Sequence, residues 1–137
     1  MRYSNTSLAG LIAAVGLMAT ATLPAQGRID RDVIFAPEGG ACVMTGQPTQ
    51  IRAKKNFVLV WRVTNDCESE ITVEVGNFTF NGQSVESPVE AKGVTVPGGQ
   101  RKTLLGIVKG AAEVGVYTYE VLLQGGQAED PELVIDP

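Results

Sequence analysis

The chemistry open to this chain is limited by the residue types that it contains. None of its 137 residues is a histidine, and only two, Cys42 and Cys67, are cysteines. Imidazole serves as the base of serine and cysteine nucleophiles and is a frequent zinc ligand. A Ser-His-Asp triad, a Cys-His pair and an imidazole metal site are therefore excluded. We expect a protein that is not an enzyme and has no cofactor, and we assign no catalytic, cofactor-binding or metal-ligating residue.

The two cysteines predict a structural disulfide. Cys42 and Cys67 are about 25 positions apart, whereas redox-active pairs usually have the close Cys-x-x-Cys spacing. An exported chain with two cysteines most simply joins them to each other. Closing a loop of this length stabilises a fold by roughly 3–4 kcal/mol at most.

Acidic side chains are the next candidates, because calcium binds several carboxylate oxygens at once. The sequence contains two acidic clusters, and neither has the Asp-x-Asp-x-Asp-Gly spacing of a calcium loop. Acidic residues also occur in solvated turns and at sheet edges, where their charge discourages aggregation. A calcium-stabilised adhesion-type domain therefore stays open as an alternative. The clusters are Asp66, Glu68 and Glu70 around Cys67, and Glu129, Asp130 and Glu132 near the end of the chain.

Tyr117 and Tyr119 alternate along one apolar segment, so their side chains share one face of a strand. Such a pair is a candidate ligand face for a sugar or a peptide. Tyrosines also pack with the ring in the core and the hydroxyl at the surface. Both interpretations stay open, and the first makes a carbohydrate- or ligand-binding accessory module the alternative function.

The first residues have the order of a secretory signal peptide: a basic residue, an apolar run and then small residues. Arg2 precedes the apolar run from Leu8 to Met18, which is short of the roughly 20 residues needed to span a bilayer. We predict a signal peptide over residues 1–25, cleaved after Ala21 or Ala25, and a periplasmic or extracellular protein. Residues 26–137 contain no second long apolar run, so no membrane span is expected there. Their mildly acidic charge argues against nucleic acid as a partner.

The segments that contain these residues are predicted to be β-strands. Between Phe57 and Cys67, large apolar residues alternate with smaller or polar ones, which predicts a core strand centred on Trp61. Ile71 to Val75 alternates in the same way and is predicted to form a hairpin with it, with Cys67 at the tip. Residues 26–32 are polar and charged and are predicted to be a lead-in segment before the first strand. Short strands, frequent glycine and proline, and no helical spacing together predict one all-β Greek-key β-sandwich over residues 26–137.

Several segments, taken in order, resemble the cupredoxin domain of blue-copper proteins. They are Ile51 to Asn65, Ile71 to Val73, Val96 to Gln100 and Gly115 to Val121. The resemblance implies a cupredoxin-like topology, with Ile71 at the position of the first copper-binding histidine and Val121 at that of the copper-binding cysteine. A blue-copper site needs two imidazoles and a thiolate, so no metal ligand is carried over.

The sequence therefore predicts an exported, non-enzymatic, copper-free cupredoxin-like sandwich. Its role would be binding or structural, with an unidentified protein or glycan as the partner. The disulfide Cys42–Cys67 would stabilise it, and Tyr117 and Tyr119 are its candidate ligand residues.

Overall fold

The computed structural model describes residues 27–46 and 50–137, leaving aside the side chains of residues 127 and 128. The predicted signal peptide over residues 1–25 lies outside the described residues. Within those two ranges the chain forms twelve strands and no helix. The strands are β1 (Arg28–Glu38), β2 (Ala41–Gly46), β3 (Ile51–Lys54), β4 (Val58–Asn65), β5 (Ile71–Phe80), β6 (Gln83–Ser84), β7 (Val89–Ala91), β8 (Val94–Val96), β9 (Arg101–Val108), β10 (Gly115–Leu123), β11 (Gly126–Glu129) and β12 (Glu132–Asp136).

The strands form two mixed sheets. The first has the order β2-β1-β4-β9-β7, and the second has the order β3-β12-β10-β5-β6, with β8 also paired to β5 and β11 to β10. β1 runs parallel to β4, and β12 runs parallel to β3. One hydrophobic cluster takes side chains from both sheets, so the sheets pack face to face. The predicted all-β sandwich is confirmed.

The Trp61 strand, β4, occupies the centre of the first sheet between β1 and β9. Leu59, Trp61 and Val63 are all buried, as the alternation predicted. The Trp61 indole Nε1 donates a hydrogen bond of 3.3 Å to the hydroxyl of Tyr119 in the second sheet. A Cβ atom at Gly106, on the neighbouring strand, would lie 3.1 Å from the Trp61 ring. Glycine at that position therefore leaves the space that the indole fills.

The predicted hairpin between the Trp61 strand and the Ile71 strand is wrong. β4 belongs to the first sheet and β5 to the second, so the segment between them crosses the sandwich. Alternation reveals which face of a strand is buried but not whether the next strand lies beside it or across the core. Two strands that bury side chains in the same core therefore look alike in sequence in either arrangement.

Asn65, at the end of β4, holds the crossing segment in place. Its side chain is fully buried, and its Nδ2 donates to the carbonyl oxygens of Ser69 at 2.8 Å and Val96 at 3.0 Å. Its Oδ1 accepts a hydrogen bond of 2.9 Å from the backbone N–H of Cys67. Buried amides are tolerated when their hydrogen bonds are made, and here one side chain satisfies three backbone groups of two segments.

The predicted disulfide between Cys42 and Cys67 is present. Cys42 lies on β2, an edge strand of the first sheet, and Cys67 lies in the segment that crosses to the second sheet. The bond therefore joins a sheet edge to the crossover rather than to the tip of a hairpin.

The polar residues 26–32 are more than a lead-in, because the first strand already starts at Arg28. It pairs with β4 from Arg28 beside Val58 to Phe35 beside Asn65. Its outward side chains form ion pairs, with Arg28 Nε 2.7 Å from Asp30 Oδ1. Because the side chains on its solvent face are charged, the first part of this strand contains no apolar run that would identify it in the sequence.

Candidate functional site

A cleft of about 410 Å³ opens where the segment before β7 meets the loop after β9. Phe80 at the end of β5 and Tyr117 near the start of β10 lie beneath it. The β sheet itself brings these two residues together, because they are direct partners in the pairing of β5 with β10. The residues that line the cleft are Phe80, Val85, Glu86, Ser87, Pro88, Lys109, Ala111, Ala112, Glu113 and Tyr117.

The floor of the cleft is aromatic. The ring centroids of Phe80 and Tyr117 are 4.6 Å apart, and the Tyr117 hydroxyl donates a hydrogen bond of 2.8 Å to the carbonyl oxygen of Glu113. Burial of the Tyr117 hydroxyl raises its pKa. A Cβ atom at Gly115, where φ is +148°, would lie 2.6 Å from the Phe80 ring. Glycine is thus needed for the chain to pass so close to the floor.

The rim of the cleft carries charged side chains, and a backbone hydrogen bond joins the two segments that form its walls. Lys109 Nζ lies 3.4 Å from Glu86 Oε1, and the Glu86 side chain is 92% exposed. An ion pair this exposed contributes little to stability, so both charges remain available to a ligand at the mouth. The Lys109 N–H donates a hydrogen bond of 2.8 Å to the carbonyl oxygen of Pro88, which joins the two segments that form the walls.

One exposed apolar side chain belongs to the wall of the cleft: Val85, with an exposed fraction of 38%. Single exposed apolar residues are common on protein surfaces, so this residue by itself does not define an interaction surface.

The two tyrosines that the sequence singled out do not form an exposed ligand face. Tyr117 and Tyr119 share one face of β10, but that face is the inner one, with exposed fractions of 3% and 1%. Tyr119 stacks on Phe78 at a centroid distance of 5.4 Å and accepts the Trp61 hydrogen bond, and burial raises its pKa to about 12. Of the two interpretations of this pair, packing in the core describes Tyr119, and Tyr117 packs in the core while also lining the cleft.

A second, polar groove of about 450 Å³ lies on the other side of residues 85–87. Asn77, in the left-handed conformation at φ +51°, donates a hydrogen bond of 2.7 Å to Glu120 Oε2 within it. The neighbouring hydroxyls of Thr79 and Thr118 are hydrogen-bonded to each other. Ser84 and Ser87 complete a lining rich in donors and acceptors.

The described part of the chain contains no group of three or more His, Cys, Asp or Glu side chains that could hold a metal ion. The acidic clusters at residues 66–70 and 129–132 do not converge into such a group. Ile71 and Val121, which the resemblance places at two copper-ligand positions, have exposed fractions of 3% and 1% and belong to the hydrophobic core. Within the same ranges, no helix is long and apolar enough to cross a membrane.

Comparison with known proteins gives similarity in structure alone. No protein-family model matches the chain, and no match is found among curated proteins. A multi-copper oxidase from Pseudomonas thermotolerans has a TM-score of 0.47 at 14% identity, over 82% of this chain and 30% of the oxidase. A blue copper oxidase from Nitrosomonas europaea has a TM-score of 0.45 at 12% identity, over 83% and 47% of the two chains. The copper nitrite reductase of the same organism has a TM-score of 0.45 at 10% identity, over 80% and 42%.

The chain spans less than half the length of each of these copper proteins. At these TM-scores and identities the likeness supports no conclusion about the chemistry or the family of this chain.

The cleft was not predicted from the sequence. Residues 109–115 were recognisable as a loop and Pro88 as a residue outside a central strand, but nothing local in either segment indicates that they meet. Their meeting depends on β7 pairing with the end of β9, from Val89 beside Val108. That pairing is a long-range contact of three residues, which is too short to leave a pattern.

Proposed function

We propose that the protein is an exported, non-enzymatic, copper-free cupredoxin-like domain that binds a partner protein through the cleft above Phe80 and Tyr117. The observation that carries the proposal is an apolar cleft of about 410 Å³ with an aromatic floor and a charged rim. Small-molecule and side-chain pockets commonly have volumes of 300–1,000 Å³ and combine apolar walls with a few polar groups.

The chemistry of the cleft favours an apolar or aromatic side chain as its occupant. Phe80, Pro88 and Ala112 offer no hydrogen-bonding side chain, and the hydroxyl of Tyr117 is already engaged with Glu113. Specific polar recognition is left to Lys109 and to the exposed carboxylates of Glu86 and Glu113. A protruding hydrophobic residue of a partner, with a charged neighbour, would match this arrangement. The exposed side chain of Val85 in the wall of the cleft would extend the contact.

Export is supported by two independent features. Residues 1–25 have the order of a signal peptide, and the chain contains a disulfide between Cys42 and Cys67. Disulfides form and persist in oxidising compartments such as the periplasm and the extracellular space. A non-enzymatic role is supported by the chain's lack of histidine and by the use of both cysteines in that disulfide.

The proposal is tested by filling the cleft. Ala111 is exposed and lines the cleft, so Ala111→Trp would block it without changing the core. Peptides selected from a displayed random library on the mature protein should carry an aromatic or large aliphatic anchor. Their affinity should fall by about tenfold or more in Ala111→Trp, as for the loss of an interface hot spot.

Ala41→Trp is the matched control, because Ala41 is also exposed and lies on β2, away from the cleft. Its affinity for the selected peptides should equal that of the parent protein. The proposal is wrong if the library yields no binders, or if the binders tolerate Ala111→Trp as well as they tolerate Ala41→Trp.

Glycan binding at the polar groove is the second candidate. Asn77 and Glu120 form a hydrogen-bonded pair on a surface that also carries threonine and serine hydroxyls, and sugars require such paired donors and acceptors. On a glycan array, binding that is lost in Glu120→Ala and kept in Ala111→Trp would favour this function over the first.

A further inference from the structure

The two sides of β9 are not paired to the same extent. On one side the strand pairs with β4 from Arg101 to Ile107. On the other side it pairs with β7 at three positions, Gly106, Ile107 and Val108. β7 ends at Ala91, and the chain then crosses to the second sheet, where β8 pairs with β5. Within the described ranges, the stretch from Arg101 to Leu105 therefore has no hydrogen-bonded strand on that side, although β8 lies close to β9, and we call this stretch the open edge.

The open edge presents backbone hydrogen-bonding groups. Val108 uses its N–H and C=O on the β4 side, where they bond to Phe57 and Asn56 at 3.0 and 2.8 Å. Backbone groups of successive strand residues point to alternate sides, so those of Ile107, Leu105 and Thr103 point away from β4. Ile107 lies beside Glu90 of β7. Leu105 and Thr103 have no strand partner on that side among the residues described.

A groove of about 550 Å³ lies beside this edge, between residues 90–94 and residues 103–107. Leu105 and Ile107 are the two large hydrophobic residues in it with high exposure, at 58% and 49%. They alternate on the outer face of β9, as the side chains of an added strand would. Proteins normally cover or charge an open edge, because it is a template for pairing with another chain.

The charged side chains around the groove indicate which kind of segment could bind there. Lys92, Arg101 and Lys102 are exposed, and none of them forms an ion pair with another described residue. Glu90 is the acidic residue in the lining of the groove. The protein as a whole has a net charge of −4, so this surface is locally basic on an acidic protein.

We propose that the edge of β9 from Arg101 to Leu105 is a site of β-strand addition for an extended segment of a partner protein. The segment continues the line of β7, runs antiparallel to β9, and has apolar side chains at alternate positions over Leu105. Its C-terminal end is acidic, where it meets Arg101 and Lys102. Main-chain hydrogen bonds provide the affinity in this mode of recognition, and alternate side chains provide the specificity.

A second copy of this chain fits the edge less well. Two β9 edges paired antiparallel over Arg101 to Leu105 would place Arg101 of each copy opposite Leu105 of the other, so the exposed cations at the two ends of the seam would meet no acidic residue of the strand. This site is separate from the cleft and does not depend on the function proposed for it.

The experiment uses a synthetic peptide of about eight residues, which is within the usual range of strand lengths. It alternates valine with threonine and ends in aspartates. Titrated into the mature protein, it should bind and slow the amide hydrogen exchange of Leu105 and Thr103. Two N-methylated versions separate strand addition from simple apolar contact. Methylation of the amides that face β9 should abolish binding, and methylation of the alternate amides should leave it unchanged.

Charge-reversal variants of the protein test whether the acidic end of the bound peptide contacts Arg101 and Lys102. Arg101→Glu with Lys102→Glu should weaken the peptide by about tenfold or more, as expected when opposite charges become like charges. Lys54→Glu with Lys55→Glu, at another basic turn, is the matched control and should have no effect. The proposal is overturned if the peptide does not bind, if both methylated peptides bind equally, or if Leu105 and Thr103 are protected without peptide because the protein self-associates.

Discussion

Trp61→Ala should lower the free energy of unfolding by about 3–5 kcal/mol, the range measured for the loss of large aromatic side chains from cores. Trp61 is 2% exposed and lies at the centre of the first sheet. Its ring meets Tyr119 edge to face at a centroid distance of 6.1 Å. The space that glycine leaves at position 106 would become part of a cavity, and the Tyr119 hydroxyl would lose its indole donor.

Denaturant unfolding followed by circular dichroism measures this change. Leu105→Ala is the matched control, because Leu105 lies on the adjacent strand but is 58% exposed. Its effect should stay within about 1 kcal/mol, as for other surface truncations. A Trp61→Ala protein with native circular dichroism and near-native stability would show that the indole does not organise the core.

Replacement of both cysteines by serine should lower the free energy of unfolding by about 3–4 kcal/mol. The disulfide closes a loop with a sequence separation of 25, so its loss increases the conformational entropy of the unfolded chain. It also frees β2 from the segment that crosses between the sheets. The loss should appear as a lower denaturation midpoint, with a steeper dependence on denaturant because the unfolded chain without the cross-link is less compact.

Reduction of the parent protein with a thiol provides an independent check, because it removes the same bond without changing the sequence. The reduced protein and the Cys42→Ser, Cys67→Ser variant should unfold at similar denaturant concentrations. If the oxidised protein and the double variant were equally stable, the bond would have no structural role.

The strands of this protein were largely predictable because most of them bury one face. The Trp61 strand, the Asn81–Gly82 turn and the strand of Tyr117 all carry local signals that the structure confirms. The turn, for example, has positive φ at both residues, 53° and 77°. A period of two and a turn dipeptide are properties of a few neighbouring residues, so the sequence displays them directly.

Pairing between distant strands was not predictable in the same way. The alternation of Ile71 and Val73 is equally consistent with a hairpin and with a strand in the facing sheet. Tyr119 shows the same limit at the level of one residue. Its spacing from Tyr117 placed both on one face, and only the packing of the second sheet against the first identifies that face as the inner one.

The candidate sites arise from long-range geometry for the same reason. The cleft exists because β7 pairs with the end of β9, and the open edge exists because β7 stops after three residues. A single short strand thus holds the segment that forms a wall of the cleft and sets the boundary of the open edge. Neither the pairing of β7 with β9 nor the early end of β7 depends on a residue type that would identify it in the sequence.

We propose that the chain is a cupredoxin-like sandwich that has core residues at the copper-ligand positions and works by binding. Calorimetric titration of the purified mature protein with copper tests it most directly. Ile71 and Val121 are buried apolar residues, and the chain has no histidine, so we predict no stoichiometric binding and no change in melting temperature. Binding of one copper per chain at micromolar affinity, with a rise in melting temperature, would contradict the account.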